Sequence, residues 1–420
     1  MKISIIIPTH NRSTLLQNVM ESILVLKGEA EYELVIVDNN SNDNTKAVVE
    51  SYGNIARYVF EKRTAFTRAR RTGEENATGD ILLYLDDDVI VNSGSLKKIV
   101  EIFKTYPECG VIAGKILPKF SSPPPQWVLE CQNAFNGWSL YNEDTFDFIK
   151  RDLQIVQYAA GPMMAIRRNV YKLIDGFPPD TIGVETNRGN KSFNKLYIGP
   201  GDYGFCIKAR QAGYKVYYSD KVSVYHIIPP VRFTLSFWRS RMIGEGYYTA
   251  IAQREFFKFS GIKSMVRRFN FHIFYHQYKH RLVKKISTLG TDKNAPPLVD
   301  GMFPEELWVH FYKAYLDMDW VLRRYQDLSP FLWGIGYDGV DDNNFDDVMK
   351  RLPKEYKNLV NNDLVYNSSP INSIRTLDEI VENRGYYNVK SNRLLKTYSM
   401  LLPDIELRMN MKSFARRIIY

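Results

Sequence analysis

Two periods of hydrophobic and polar positions run along the first half of the chain. Residues 3–8 form a short strand-like run, apolar but for Ser4. After the loop Pro8-Thr9-His10-Asn11-Arg12, Leu16, Val19, Ile23 and Leu26 recur at helical spacing, with Ser13 placed to cap that helix. Residues 34–37 are a second apolar run ending on Asp38, and residues 58–60 a third. A helix over 65–77, carrying Arg68, Arg70 and Arg71, leads into residues 81–85, an apolar run closed by Asp86-Asp87-Asp88. Unbroken apolar runs of this length suit strands of a parallel sheet buried on both faces. Their alternation with helices predicts an α/β, Rossmann-like unit. Ligands of such sheets bind at the carboxyl ends of the strands, where Asp38 and the three aspartates fall. Adjacent carboxylates repel one another and gain from a hard divalent cation; taken alone, the same triplet also reads as a solvated acidic turn.

Further along, the pattern predicts a helix over 96–103, a strand over 111–116 and a proline-rich loop over 118–125. Residues 126–152 read as irregular and aromatic; Trp127, Trp138 and Tyr141 there either cover an acceptor or anchor the segment to the core. A strand over 159–168 is entered through a small-residue turn at Gly161, where the missing side chain lets a backbone approach a ligand closely. Asp202, beside Gly201, opens a helix that ends on Gly213, and the helix dipole favours an ionised carboxylate at that end. Two closing strands, 216–218 and 222–225, lead to His226, and Pro229-Pro230 marks a boundary. Residues 233–257 and 262–278 read as basic helices and 305–325 as an amphipathic helix. The acidic stretch 338–347 lacks the spacing of a calcium loop and reads as a solvated turn. Leu407, Met411, Phe414 and Ile418 recur at helical spacing near the end, as in a docking, partner or membrane-surface helix.

Charge and cysteine usage narrow the setting. Residues 1–229 are balanced, with 27 basic and 26 acidic side chains, whereas residues 230–290 hold 12 basic ones against Glu245 and Glu255 alone. That local excess suits an anionic partner or a membrane surface. The three cysteines, Cys109, Cys131 and Cys206, show neither a disulfide framework nor zinc spacing, which favours a reducing compartment. The first residues form a strand-like run stopped by Pro8, unlike a signal peptide, and no run approaches the roughly 20 apolar residues of a membrane span. The expectation is a cytoplasmic protein, peripheral at most at the inner face of a membrane through its basic C-terminal region, with a homodimer compatible with the aromatic helical extension. Neither a G-x-G-x-x-G nor a P-loop follows the first strand. A nucleotide here would be held by carboxylates, a metal and arginines.

The ordered set Ile3-Ser4-Ile5-Ile6-Ile7-Pro8-Thr9-His10-Asn11-Arg12, Val35-Ile36-Val37-Asp38-Asn39-Asn40-Ser41, Ala69-Arg70, Gly79-Asp80 and Leu85-Asp86-Asp87-Asp88 resembles glycosyltransferase family 2. The resemblance covers about 55% of the chain. It implies a GT-A nucleotide-sugar-binding domain over 1–229, with a donor half (1–117) and an acceptor half (118–229), followed by a mostly α-helical extension over 230–420. It implies a metal-dependent, inverting transfer from a nucleoside-diphosphate sugar, a UDP-sugar favoured, to a hydroxyl of a glycan or lipid-linked acceptor. Asp38 would meet the base, with Pro8, Thr9, Arg12, Arg70, Asp86 and Asp87 around the donor. Asp88 and His226 would hold Mn²⁺ or Mg²⁺, and Asp202 would be the general base. Trp127, Trp138, Gly161 and Gly201 would lie toward the acceptor. Arg71 departs from the family, which often has Asn there, and Gly201 stands where a Glu is usual. A nucleotidyltransferase would use the same carboxylates, but Pro8-Thr9-His10 replaces the glycine- and lysine-bearing loop expected of it. A binding protein for anionic polymers centred on 230–290 is the reading from another class; no nucleic-acid motif supports it, and no nucleic-acid partner is expected.

Overall fold

A computed structural model describes residues 1–146, 148–150, 152–179, 185–188, 191–194, 201–259, 261–289 and 304–360. The terminal pattern of Leu407, Met411, Phe414 and Ile418 therefore lies outside the described residues. The elements run β1 (Ile3–Thr9), α1 (Ser13–Leu24), β2 (Tyr32–Asp38), α2 (Thr45–Glu50), β3 (Ala56–Phe60), α3 (Phe66–Glu75), β4 (Ile81–Leu85), β5 (Val89–Val91), α4 (Ser95–Thr105) and β6 (Cys109–Phe120). Then come α5 (Gln126–Phe135), β7 (Gln154–Val156), β8 (Met163–Arg167), α6 (Arg168–Leu173), a hairpin of β9 (Glu185–Arg188) and β10 (Lys191–Asn194), α7 (Gly201–Gln211) and β11 (Lys215–Ile228). Six helices follow: α8 (Leu235–Glu255), α9 (Gly261–Leu289), α10 (Pro304–Arg324), α11 (Leu328–Asp338), α12 (Phe345–Arg351) and α13 (Lys354–Val360).

The chain divides into two compact units. The first comprises Met1–Pro124, Asn136–Arg232 and Asp327–Pro353. Its mixed sheet runs β3-β2-β1-β4-β8-β6-β11-β5, with β7 beside β11. The β3-β2-β1-β4 part is parallel and Rossmann-like, as the apolar runs predict, and every residue of β1 and β4 is buried. Chain order reverses at β1, the switch point at which open α/β sheets bind ligands. Pairing of β1 with β4 stops at Ile6, so Pro8, which has no N–H, lies where β1 pairs with β2 alone. The strands thus part at their carboxyl ends between Thr9 and Asp86.

Several local expectations change once neighbours are in place. Ser13 does not cap α1 with its own hydroxyl; its N–H donates to Asp43 Oδ2 at 3.0 Å, a carboxylate from the loop after β2. The expected irregular segment contains the helix α5, launched after three prolines and burying Val128 and Cys131 on one side. The two expected closing strands are one, β11, irregular between Ser219 and Ser223. The acidic stretch is more than a solvated turn. Asp341 has a nearly buried side chain, accepts the N–H groups of Asn343 and Asn344, and lies 3.3 Å from Lys62. Beside it Val340 accepts from Thr64 N–H at 2.9 Å, which ties α11 and α12 to the loop before α3.

The second unit comprises Pro125–Phe135, Phe233–Gln326 and Lys354–Tyr420, and its described part is helical. Its centre is α10, buried on nearly every face rather than amphipathic: Leu307, Val309, Phe311, Tyr315, Met318 and Val321 are buried, and so are Glu306, His310, Lys313, Asp317 and Asp319. The buried acids answer the basic helices. Arg239 Nε meets Glu306 at 2.8 Å with both side chains fully buried, while Arg254 and Arg268 converge on Asp319 at 3.3 and 2.8 Å. Three of the twelve basic side chains of 230–290 are therefore paired inside this unit. Gly246 lets α8 close on α10, since a Cβ there would stand 2.4 Å from the carbonyl oxygen of Phe311. No described helix is long and apolar enough to cross a membrane.

Candidate active site

The carboxyl ends of β1, β2 and β4 deliver Thr9, Asp38 and the aspartate triplet to one crevice. Asp38 is buried; its Oδ1 accepts the N–H of Ser41 at 2.8 Å and its Oδ2 the hydroxyl of Tyr58 at 2.7 Å. Tyr58, on β3, was not singled out by the sequence; burial and the Asp38 carboxylate push its phenol pKa up. Asp87 is the structural member of the triplet: it accepts from Thr9 Oγ1 and from Arg12 Nη1, each at 2.8 Å. Arg12 reaches Asp88 Oδ2 as well, at 3.2 Å, and so ties the loop after β1 to the loop after β4. Asp86 is half-buried, and burial together with the neighbouring Asp88 carboxylate pushes its carboxyl up to about 7, against the pull of Arg70.

Asp88 meets His226 because β11 runs antiparallel to β5: His226 pairs with Val89, and Ile227 N–H donates to the Asp88 carbonyl at 2.8 Å. Burial alone would raise the Asp88 pKa; the guanidinium groups of Arg232 and Arg12, both in contact with Oδ2, act against it. His226 Nδ1 is 2.8 Å from the carbonyl oxygen of Trp138, which can only accept, so Nδ1 carries the proton. Arg232 Nη1, which can only donate, is 3.0 Å from Nε2, so Nε2 presents its lone pair. The same Nε2 stands 3.2 Å from Asp88 Oδ1, a buried oxygen with no hydrogen-bond donor.

This pair fits a divalent cation. A neutral imidazole oriented by a backbone carbonyl is the usual state of a metal-ligating histidine. Six-coordinate cations bound at about 2.0–2.1 Å place adjacent ligands about 3 Å apart. Among the described residues no group of three or more His, Cys, Asp or Glu side chains is placed to hold a metal. The chain would thus contribute Asp88 and His226, leaving the other positions to substrate and water.

A second convergence lies at Gly161, ahead of β8. A Cβ there would stand 3.1 Å from Arg70 Nη2 and 3.3 Å from Asp202 Oδ2, so both side chains border the space above this backbone. Arg70 is buried, its guanidinium carbon 4.2 Å from the centre of the Phe66 ring and 4.6 Å from that of Phe177. Two aromatic faces hold the charge in one plane. Asp202 is half-buried in the first turn of α7, and Gly201 is buried beside it. Arg71 points elsewhere, to Asp175 at 3.2 Å and over the ring of Tyr337 on α11.

The remaining candidates are placed differently. The Trp138 ring is buried against Phe120, so this residue bears on the site through its carbonyl and not through an exposed face. Trp127 is half-buried on α5, in the second unit. The sequence pattern does not point to Arg232, which lies six residues beyond His226; the two prolines between them mark a boundary, and a tight turn of that kind also returns a side chain toward the strand just left. The three cysteines are buried, and burial pushes the thiols of Cys109 and Cys206 up to about 12, so neither supplies a thiolate.

Residues 4–174 match the Glycosyl transferase family 2 model. Asp202, His226 and Arg232 lie beyond the matched segment. The chain is 22% identical over 260 residues to a glucosyl-dolichyl phosphate glucuronosyltransferase of Haloferax volcanii, covering 59% of this chain and 76% of the relative. It is 26% identical over 231 residues to an O-antigen chain rhamnosyltransferase of Salmonella typhimurium, covering 54% of this chain and 66% of the relative, just under two thirds. Among solved structures it is similar to a mannosyltransferase of Pyrobaculum calidifontis in complex with GDP-Man and Mn²⁺, at a TM-score of 0.42 and 16% identity, covering 89% of this chain and 86% of the other.

Proposed function

We propose that this family 2 domain transfers a sugar from a nucleoside-diphosphate sugar to a hydroxyl of a glycan or lipid-linked acceptor, with inversion at the anomeric carbon. The observation that carries the reading is the meeting of Asp202 and Arg70 over Gly161, with Arg70 also acting on Asp86 of the aspartate triplet. Asp38, with Tyr58 behind it, receives the base, and Thr9 and Arg12 steady the triplet around the donor. Asp88 and His226 hold Mn²⁺ or Mg²⁺, which when bound neutralises charge on the departing diphosphate. Asp202 takes the proton of the acceptor hydroxyl as that oxygen bonds to the anomeric carbon and the bond to the diphosphate oxygen breaks. Arg70, fixed between its rings, orients the reacting groups and offsets negative charge beside them. The space at Gly161 admits one of the two sugars.

Names of relatives that act on dolichyl phosphate and O-antigen chains support an acceptor of the polysaccharide or lipid-linked kind. A lipid-linked acceptor would bring the enzyme to a membrane, peripherally. The end of α8 and the start of α9 offer a surface for that: Phe257, Met265 and Val266 are exposed beside Lys258 and Lys263. Internal pairing of Arg239, Arg254 and Arg268 weakens the polyanion-binding alternative, because those charges are not presented outward.

Thermal unfolding with nucleoside diphosphates and nucleotide-sugars, UDP compounds first, tests the donor site. A ligand of the native state raises the midpoint. The expected result is a Mn²⁺-dependent rise with one nucleotide, lost in Asp88→Ala and kept in Asp202→Asn, whose transfer rate falls about 10²- to 10⁴-fold. A midpoint unmoved by every nucleotide, with or without metal, would overturn the proposal.

A further inference from the structure

We infer that Arg232 is an internal cation that masks the Asp88–His226 pair, so that a divalent metal binds only as this guanidinium withdraws. The inference rests on the metal-assisted reading above and adds the group against which the metal competes. Arg232 Nη2 donates to Asp88 Oδ2 at 2.8 Å while Nη1 donates to His226 Nε2 at 3.0 Å, so one planar fork spans both candidate ligands. Its single positive charge stands where a metal would bring two.

The arrangement is incomplete without a further cation, and that is what marks it as a substitute. Asp88 Oδ1 stands 3.2 Å from His226 Nε2 and accepts no hydrogen bond. Two acceptor atoms this close in a buried site repel, and the fork, donating to Nε2 and to Oδ2, leaves Oδ1 without a donor. A metal lying between Oδ1 and Nε2 would bond both, but it would present positive charge to the guanidinium and take the Nε2 lone pair that Nη1 now uses. Arg232 and the metal therefore exclude each other at His226. The Arg232 side chain is 16% exposed, and it sits on a 3₁₀ turn after Pro229 at the end of the first unit. Arg12 still contacts Asp88 when Arg232 leaves, so the carboxylate keeps one arginine.

Mn²⁺ titrations followed by electron paramagnetic resonance, without nucleotide, test this on the full chain. The set is wild type, Arg232→Ala, Arg232→Gln, Arg232→Lys and Asp88→Asn, each checked for folding by its thermal midpoint. Removing the fork in Arg232→Ala or Arg232→Gln is expected to tighten Mn²⁺ binding about tenfold or more. Arg232→Lys, which keeps the charge and loses the fork, should fall between, and Asp88→Asn should abolish the site. Equal dissociation constants for wild type and both neutral variants would overturn the masking and leave the metal reading standing. No Asp88-dependent Mn²⁺ binding in any variant, even with a nucleoside diphosphate added, would overturn both.

Discussion

Replacing Gly161 by alanine separates a catalytic reading of the Arg70–Asp202 convergence from a structural one. The backbone at Gly161 does not lie in the left-handed region, so alanine is not strained there. The added methyl would stand 3.1 Å from Arg70 Nη2 and 3.3 Å from Asp202 Oδ2. These contacts are a few tenths of an ångström too close, and both neighbours are ends of flexible side chains that can give. The stability cost is therefore about 1 kcal/mol or less. The methyl nevertheless fills the space the two side chains border, and a displacement of about 1 Å in a reacting constellation costs about a hundredfold in rate. The assay is transfer to acceptor, read as kcat/KM beside the thermal midpoint and nucleotide affinity. Transfer should fall about a hundredfold with the other two little changed. Gly73→Ala is the contrast: its methyl would lie 2.3 Å from Ile6 Cγ2, where α3 packs on β1, and should cost about 1–3 kcal/mol with little effect on the rate per folded molecule. Full transfer by a folded Gly161→Ala enzyme would refute the placement of the reacting groups between Arg70 and Asp202.

Three further outcomes follow from the packing. Glu306→Gln removes the counter-charge of fully buried Arg239 and should destabilise the protein by about 3–5 kcal/mol in urea unfolding, whereas Arg239→Met with Glu306→Leu should recover most of that; a loss under about 1 kcal/mol from the single change would contradict the burial. Glu33 accepts from Ser4 Oγ, Thr78 N–H and Thr78 Oγ1, and although burial opposes them these bonds lower its carboxyl pKa from 4.5 to about 2. The unfolded chain then takes up the proton first, so the contribution of about 2–3 kcal/mol is full above 4.5 and lost as pH falls toward 2. Glu33→Gln should flatten that part of the stability profile, and an unchanged slope would count against it. Phe257→Glu with Met265→Glu should abolish co-sedimentation with anionic phospholipid vesicles if the end of α8 and the start of α9 form the membrane surface; undiminished binding would remove that surface from consideration.

Much of the fold over residues 1–117 was legible along the chain. Apolar runs ending in Asp38 and in Asp86-Asp87-Asp88 mark strands and their carboxyl ends, because a strand buried on both faces has no polar position to spare until it leaves the sheet. Helix starts and stops near Ser13, Asp202 and Gly213 were legible for the same local reason. The segment around α5 was not, since its helical face is defined by burial in a unit built mainly from residues far downstream. The buried ionic core around α10 was equally hidden. Lys313, Asp317 and Asp319 look like surface residues in one dimension and become interior only when α8 and α9 supply partners.

What the sequence determined by itself is the α/β order, the crevice at the strand ends and the chemical types that line it. Local apolar period and turn chemistry suffice for those, because they act over a few residues. The tertiary structure alone decided which side chains meet. Antiparallel pairing of β11 with β5 sets His226 against Asp88, the turn after Pro229 brings Arg232 onto both, and the chain before β8 brings Gly161 to Arg70 and Asp202. Apart from Arg232 and His226, six positions apart, those contacts join residues 41 to 144 positions apart in sequence. Separations of that size are closed by sheet register and packing, and no local period carries them.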